Sequence, residues 1–296
     1  MFNNILGNDN IKELLTNAVK NNKASHSYMF VGTEGIGKRL IAKEFAKMIL
    51  CTDENKYCSK CKSCMEFDSD NNPDFRIIEP DGNSLKIEQI REFQNKVAEK
   101  PIISNRKVYI INDSDKMTAE AQNCLLKTLE EPPEYVTIIL IGSNESAFLD
   151  TIKSRCMILH FNKISDENIV RFLEENYQTK VNSQIMLDAF QGSIGKAIQL
   201  QDKQDEYEQI ENIIVNLESR DKIDTLNKAE VIYKAKEEKF EILDYINIIL
   251  LDLAKKSGKY ASCINIVEDT KRRLQSNANY DMSIDNMLLK LWEQVN

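Results

Sequence analysis

Four cysteines in the first quarter of the chain have the spacing of metal ligands. The pattern is C-x6-C-x2-C-x2-C, and its members are Cys51, Cys58, Cys61 and Cys64. Two-residue gaps let successive thiolates converge on one ion, and four thiolates complete tetrahedral Zn²⁺ without leaving a position for substrate. The sequence therefore predicts a structural zinc site. An iron–sulfur cluster and unliganded thiols are the alternatives, although the ferredoxin pattern ends in a Cys-Pro pair and Met65 follows Cys64 here.

A glycine-rich segment before the cysteines has the pattern of a phosphate-binding loop. Its residues are, in order, Gly32, Thr33, Glu34, Gly35, Ile36, Gly37, Lys38 and Arg39. The first seven fit G-x-x-x-x-G-K-[ST], in which backbone N–H groups surround a polyphosphate and the lysine reaches its outer phosphates. Arg39 stands where a Ser or Thr hydroxyl would bind Mg²⁺. The sequence therefore predicts phosphate-loop ancestry and leaves open whether ATP or ADP still binds; a ligand-free glycine turn is the alternative.

Acidic residues follow a later apolar run at 107–111. In phosphate-loop ATPases, the first carboxylate after this strand holds Mg²⁺ and a second one polarises the attacking water. Asp113 fits the first place, whereas Ser114 occupies the second and cannot act as a general base at neutral pH. Asp115 comes one residue later and is expected to be a helix N-cap. These residues predict that the chain does not hydrolyse ATP by itself.

Apolar runs alternate with helical stripes between residues 28 and 161. We predict strands at 26–31, 74–80, 107–111, 136–141 and the end of 152–161. This alternation is typical of an α/β fold whose parallel sheet is covered by helices on both faces. The residues at 142–144 follow a strand at the edge where such sheets place ligand-facing groups, and a plain turn is the alternative.

The sequence after Ser165 contains helical stripes and no predicted strand. We predict an α/β domain at 1–162 that contains a zinc module at 51–64. A three-helix lid is expected at 163–203, and a helical domain at 204–296. The charged stretch at 201–208 is expected to be the linker between the last two.

The composition is that of an ordinary globular protein, with 42% hydrophobic and 29% charged residues and a net charge of −8. This charge argues against a protein that binds nucleic acid by itself through a large basic face. No apolar run reaches the roughly 18–20 residues of a membrane span. The first six residues lack the basic and apolar regions of a secretory signal, so a cytoplasmic location is expected.

Two further motifs connect these features to a known family. Residues 125–133 read LLKTLEEPP, and Ser154-Arg155-Cys156 follows later in the same domain. With the phosphate loop and the four-cysteine insert, they make residues 1–200 resemble bacterial clamp loader subunits of the AAA+ class. The resemblance implies a five-subunit ring, containing gamma/tau and delta subunits of DNA polymerase III, that loads the sliding clamp onto primer–template DNA. It also implies that residues after 205 form the collar of this ring.

Three departures from the pattern of the motor subunits favour a stator within that family. Arg39 replaces the Mg²⁺-binding hydroxyl, Ser114 replaces the catalytic glutamate, and Gly195 falls where motor subunits carry a phosphate-sensing arginine. The resemblance also implies that Arg155 is an arginine finger, which reaches into the ATP site of a neighbouring subunit. The chain is thus expected to belong to a polymerase holoenzyme while hydrolysing no ATP itself.

Two other functions stay open from the sequence. The first is an ATP-hydrolysing gamma/tau-type motor of the same ring, which would lose activity when Lys38 is replaced. The second is a freestanding zinc-dependent DNA-binding protein. The acidic balance and the absence of interleaved basic and aromatic residues around the cysteines weigh against it, since the lysines at 56, 60 and 62 form only a small patch.

Overall fold

The computed structural model describes residue 2, residues 5–181 and residues 183–296. The chain folds into two compact units. The first comprises the residues up to Ile169 together with Gly192–Gly195, and the second comprises Val170–Gln191 and Lys196–Asn296. The domain boundaries after residues 162 and 203, and the extent of the zinc module, stay predictions. Among the described helices, none is long and apolar enough to span a membrane.

The first unit contains a five-stranded sheet with the order β2-β3-β4-β1-β5. Its strands are β1 (Ser27–Val31), β2 (Phe75–Ile78), β3 (Lys107–Ile111), β4 (Val136–Gly142) and β5 (Met157–His160). Every neighbouring pair is parallel. The three strands β1, β3 and β4 are buried along their whole length, which explains their nearly continuous apolar sequences.

Helices cover both faces of this sheet. They are α1 (Asp9–Lys20), α2 (Lys38–Leu50), α3 (Lys62–Asp68), α4 (Ile87–Val97), α5 (Ala119–Glu130) and α6 (Asp150–Lys153). Successive strand residues point to opposite faces, so Tyr28 and Phe30 join an apolar cluster with α1 and α2. Met29 and Val31 join a second cluster with α4 and α5. The predicted α/β fold is confirmed.

The rest of the chain is helical. The helices are α7 (Asp166–Tyr177), α8 (Gln184–Phe190), α9 (Ile194–Gln201), α10 (Gln204–Val215), α11 (Lys222–Lys228), α12 (Glu230–Lys234), α13 (Lys239–Lys256), α14 (Ala261–Gln275) and α15 (Tyr280–Val295). The described part of the second unit has no strand, as predicted. The linker expected at 201–208 was wrong for residues 204–208, which belong to α10. Tyr207 in this helix is buried and packs edge-on against Tyr245 with ring centroids 4.7 Å apart.

Candidate functional site

The predicted phosphate-binding loop connects β1 to α2 and lies against residues 192–195 of the same unit. Gly35 has a φ of +75°, which residues other than glycine rarely adopt. A Cβ atom there would lie 2.3 Å from Ser193 Oγ and 3.2 Å from Gly195 Cα. The Gly195 N–H donates to the Gly35 carbonyl over 3.0 Å. The loop is therefore held by a close backbone approach that depends on two glycines.

Lys38 is turned onto its own loop. Its side chain is buried, and Nζ donates to the carbonyl oxygens of Gly32 (2.5 Å) and Thr33 (2.7 Å). Burial lowers the pKa of Lys38, while the nearby negative charge of Asp115 opposes that shift. A bound polyphosphate would have to replace both carbonyl oxygens as the hydrogen-bond acceptors of this ammonium group.

Arg39 forms a surface ion pair in place of a magnesium ligand. Its Nη1 lies 2.6 Å from Glu79 Oε1, just beyond the end of β2, and both side chains are about half exposed. An exposed pair of this kind contributes about 0–1 kcal/mol. Glu79 was missed in the sequence, because nothing local connects it to a residue 40 positions earlier.

Ser114 has a structural role at the place where a catalytic carboxylate would stand. The residue is completely buried. Its Oγ lies 2.7 Å from the Ile111 carbonyl oxygen and accepts the Ile141 N–H over 2.9 Å, which joins the end of β3 to β4. Asp113, in contrast, is partly exposed and accepts a hydrogen bond from Lys116 Nζ (3.0 Å). The position after Asp113 therefore offers a buried hydroxyl in place of a carboxylate that could reach solvent.

The expectation that Asp115 caps a helix was wrong. Its Oδ2 accepts from the backbone N–H groups of Ser143 and Asn144, both over 3.0 Å, and from the Ser143 hydroxyl over 2.9 Å. The cap of α5 is Thr118, whose side chain accepts from the Ala121 N–H. Asp115 thus binds the turn that follows β4. The backbone N–H groups of Ser143 and Asn144 are used by this contact and are not available to a ligand.

The four cysteines converge as predicted. Cys51 directly follows α2, Cys58 lies in the next loop, Cys61 directly precedes α3, and Cys64 lies in the first turn of α3. Their sulfur atoms all lie within 4.8 Å of one another. The Sγ of Cys51 is 3.6 Å from that of Cys58 and 4.0 Å from that of Cys61. A tetrahedral zinc site with bonds of about 2.3 Å has sulfur–sulfur edges of about 3.8 Å, so this cluster has the dimensions to hold a metal ion.

Backbone donors also point at these sulfur atoms. The N–H groups of Lys60 and Cys61 donate to Cys58 Sγ over 3.4 and 3.2 Å. Burial raises the pKa of Cys61, but hydrogen bonds from Thr52 and Cys64 outweigh it and lower this pKa to about 6. Burial and a hydrogen bond with Cys61 raise the pKa of Cys64. Because neighbouring thiolates repel one another, full ionisation of the cluster requires a cation.

Arg155 lies between α6 and β5 with its side chain 33% exposed. Its Nη2 donates to Glu130 Oε1 over 2.6 Å. Its Nη1 donates to the Thr151 carbonyl over 2.8 Å and approaches Ser154 Oγ at 3.4 Å. We refer to Arg155, Glu130, Thr151 and Ser154 as the arginine cluster.

The predicted site residues thus fall into separate groups. The charges of Asp113 and Asp115 act on Lys38, so the glycine loop and the residues after β3 are neighbours. Among the described contacts, the hydrogen bonds of Arg155 involve neither the glycine loop nor Asp113. Glu130 was missed as a partner of Arg155. The available signal was its place in the LLKTLEEPP run, which was interpreted only as a family mark.

Comparison with known proteins agrees with this architecture. A family model described as DNA polymerase III, delta subunit, matches residues 7–165. DNA polymerase III subunit delta' of Bacillus subtilis is 37% identical over 168 residues, which cover 56% of this chain and 51% of that protein. DNA polymerase III subunit tau/gamma of Haemophilus influenzae is 35% identical over 211 residues, which cover 68% of this chain and 30% of that protein.

The chain therefore spans about half or less of the length of these curated relatives. Among solved structures, a DNA polymerase III gamma subunit-related protein of Thermotoga maritima aligns with a TM-score of 0.53 and 17% identity. The alignment covers 96% of this chain and 99% of that one and supports the fold alone. Since the family model matches more than half of its residues, the chain belongs to the DNA polymerase III delta-subunit family of clamp loader AAA+ proteins.

Proposed function

We propose that this chain is a delta prime-type stator of a clamp loader. In that role it assembles with gamma/tau and delta subunits into a ring that places the sliding clamp on primer–template DNA. It hydrolyses no ATP itself, and Arg155 acts in trans at the ATP site of a neighbouring motor subunit. The relatives named above include both delta' and tau/gamma proteins, so the choice between stator and motor depends on the site.

The observation that carries the stator proposal is the burial of Ser114. A motor needs a carboxylate there that can contact the attacking water, but this hydroxyl is fixed between two strands and has no access to solvent. Two further contacts favour the same conclusion. Lys38 is bound to carbonyls of its own loop, and Arg39 is paired with Glu79. We infer that residues 32–39 and Asp113 bind ATP or ADP weakly or not at all.

The exposure and chemistry of Arg155 support the proposed role in trans. A guanidinium group binds two phosphate oxygens through parallel hydrogen bonds and neutralises charge that develops during phosphoryl transfer. A finger supplied by another protein contributes a factor of roughly 10³–10⁵ to GTPase rates. Because Arg155 is a third exposed and lies apart from the chain's own loop, the site it would serve belongs to another molecule.

We also propose that Cys51, Cys58, Cys61 and Cys64 bind structural Zn²⁺. A bound zinc ion would cross-link the end of α2, the loop and the start of α3, in a segment with few apolar side chains of its own. The purified protein is expected to be colourless and to contain one equivalent of zinc. A brown preparation that absorbs at about 400 nm would instead indicate an iron–sulfur cluster.

The decisive experiment measures single-turnover ATP hydrolysis by rings assembled with gamma/tau and delta subunits. Arg155→Ala is expected to slow hydrolysis at the adjoining ATP site by about 10³-fold or more. The fast phase of the hydrolysis time course should then lose the amplitude that corresponds to one ATP site. Lys153→Ala is the matched control, because it removes a cation that pairs only with Asp150 of the same helix among the described residues. The isolated chain should not hydrolyse Mg-ATP. An unchanged fast phase in Arg155→Ala rings would disprove the finger assignment.

A further inference from the structure

We infer that Glu130 is a positioning residue for Arg155; this inference rests on the proposed function of Arg155 in trans. The two residues are separated by 25 positions, and their side chains meet at 2.6 Å. Glu130 is the last residue of α5, and Arg155 follows α6. The contact therefore joins the first glutamate of the LLKTLEEPP run to the Ser-Arg-Cys triplet, so one motif orients the side chain of the other.

The guanidinium group is held from two sides. Glu130 accepts from Nη2, and the Thr151 carbonyl accepts from Nη1 over 2.8 Å. Two acceptors on different nitrogens determine both the position and the plane of the group. A free arginine side chain samples many rotamers and must lose that freedom when it binds a ligand. Holding it beforehand reduces this loss at the moment of reaction.

These contacts leave donors available for a phosphate. A guanidinium carries five N–H groups, and the described contacts of Arg155 use three of them: two on Nη1, toward Thr151 and Ser154, and one on Nη2. The N–H of Nε and the second N–H of Nη2 remain. Since these nitrogens are neighbours in one plane, they can contact two oxygens of a phosphate while Glu130 stays bound.

The charge of Glu130 does not prevent this arrangement. Its side chain is 48% exposed, so water screens its repulsion of a nearby phosphate. The carboxylate also increases the order of the arginine more than a neutral acceptor would, because hydrogen bonds between charged groups are the stronger ones. Glu130 is thus expected to raise the hydrolysis rate of the adjoining site rather than to compete for the guanidinium.

The test uses assembled rings and compares Glu130→Ala, Glu130→Gln and the control Glu131→Ala. Glu131 is the adjacent glutamate and makes no side-chain hydrogen bond or ion pair with Arg155 among the described contacts. We expect Glu130→Ala to slow single-turnover hydrolysis at the adjoining site about tenfold, with the affinity for ATP unchanged. Glu130→Gln keeps an acceptor for Nη2 and should recover part of the rate, while Glu131→Ala should match wild type.

A double-mutant cycle separates positioning from a general structural role. In an Arg155→Ala background, Glu130→Ala should cause no further slowing, since its effect acts through the arginine. Equal slowing in both backgrounds would overturn the inference, as would a wild-type or faster rate for Glu130→Ala. If Glu130→Ala rings do not assemble, the comparison of Glu130→Gln in the two backgrounds decides. An unchanged rate in Arg155→Ala alone would instead refute the proposed function.

Discussion

The glycine loop and the arginine cluster each carry a cation that an ATP site would use, and their surroundings differ. Lys38 is 7% exposed and donates to two carbonyls of its own loop. Arg155 is 33% exposed and retains two N–H groups that no described contact uses. The phosphate site within the chain is closed by its own contacts, whereas the guanidinium is oriented at the surface with donors left for another molecule. This difference is the basis of the proposal that the chain is a stator and not a motor.

The largest effect on stability is expected when the motor residue is restored at position 114. Ser114→Glu places a carboxylate at a completely buried position between β3 and β4, where the described hydrogen bonds of Ser114 are all to backbone groups of Ile111 and Ile141. An unpaired buried charge costs about 3–5 kcal/mol. Urea unfolding should therefore show a large loss of stability and ATPase assays no gain of activity.

Ser114→Ala is the control for that substitution. It removes the acceptor of the buried Ile141 N–H without adding charge, so a smaller loss of about 1–3 kcal/mol is expected. A stable Ser114→Glu protein that hydrolyses ATP in a Lys38-dependent manner would show that the site is not closed and would favour the motor alternative.

An intermediate effect is expected at the glycine contact that holds the loop. Gly35→Ala introduces a Cβ 2.3 Å from the buried Ser193 Oγ at a positive φ, so both strain and overpacking destabilise the folded state by about 1–3 kcal/mol. Gly258→Ala is the control, since a Cβ there meets no atom within 4 Å. Thermal unfolding measures both variants. Equal melting temperatures would mean that the loop is not held by this approach.

The smallest effect is expected at Arg39. Arg39→Thr restores the hydroxyl of the motor pattern and removes an ion pair whose side chains are about half exposed, so stability should change by about 0–1 kcal/mol. Hydrolysis should remain absent, because position 114 still lacks a carboxylate. Mg-ATP turnover by this single variant, measured beside wild type, would show that one residue and not the whole site separates stator from motor.

Much of this protein was predictable because the informative residues are close in sequence. The cysteine spacing predicted the convergence of all four sulfur atoms, which lie within 14 positions. The buried strands were recognised from apolar runs that need no partner to be identified. The glycine loop was likewise a local pattern between a strand and a helix. Its positive φ at Gly35 agrees with what that pattern requires.

The errors and omissions concern contacts between distant segments. Asp115 was expected to be a helix cap, but it binds the turn at Ser143 and Asn144. The charged stretch at 201–208 was expected to be a linker because its exposed residues dominate its composition. The packing of Tyr207 against Tyr245 instead makes part of it a core helix.

The sequence by itself determined the α/β class, the convergence of the four cysteines, and the presence of Arg39 and Ser114 where the phosphate-loop ATPase pattern has a hydroxyl and a carboxylate, since each depends on residue type at short spacing. Only the tertiary structure decided which side chain each functional residue contacts. Glu79 meets Arg39 beyond the carboxyl ends of the strands, and Glu130 meets Arg155 before their amino ends, because the parallel sheet and its helices bring remote segments together at each end. Side-chain partners separated by 25 or more positions depend on that packing, and no local pattern specifies them.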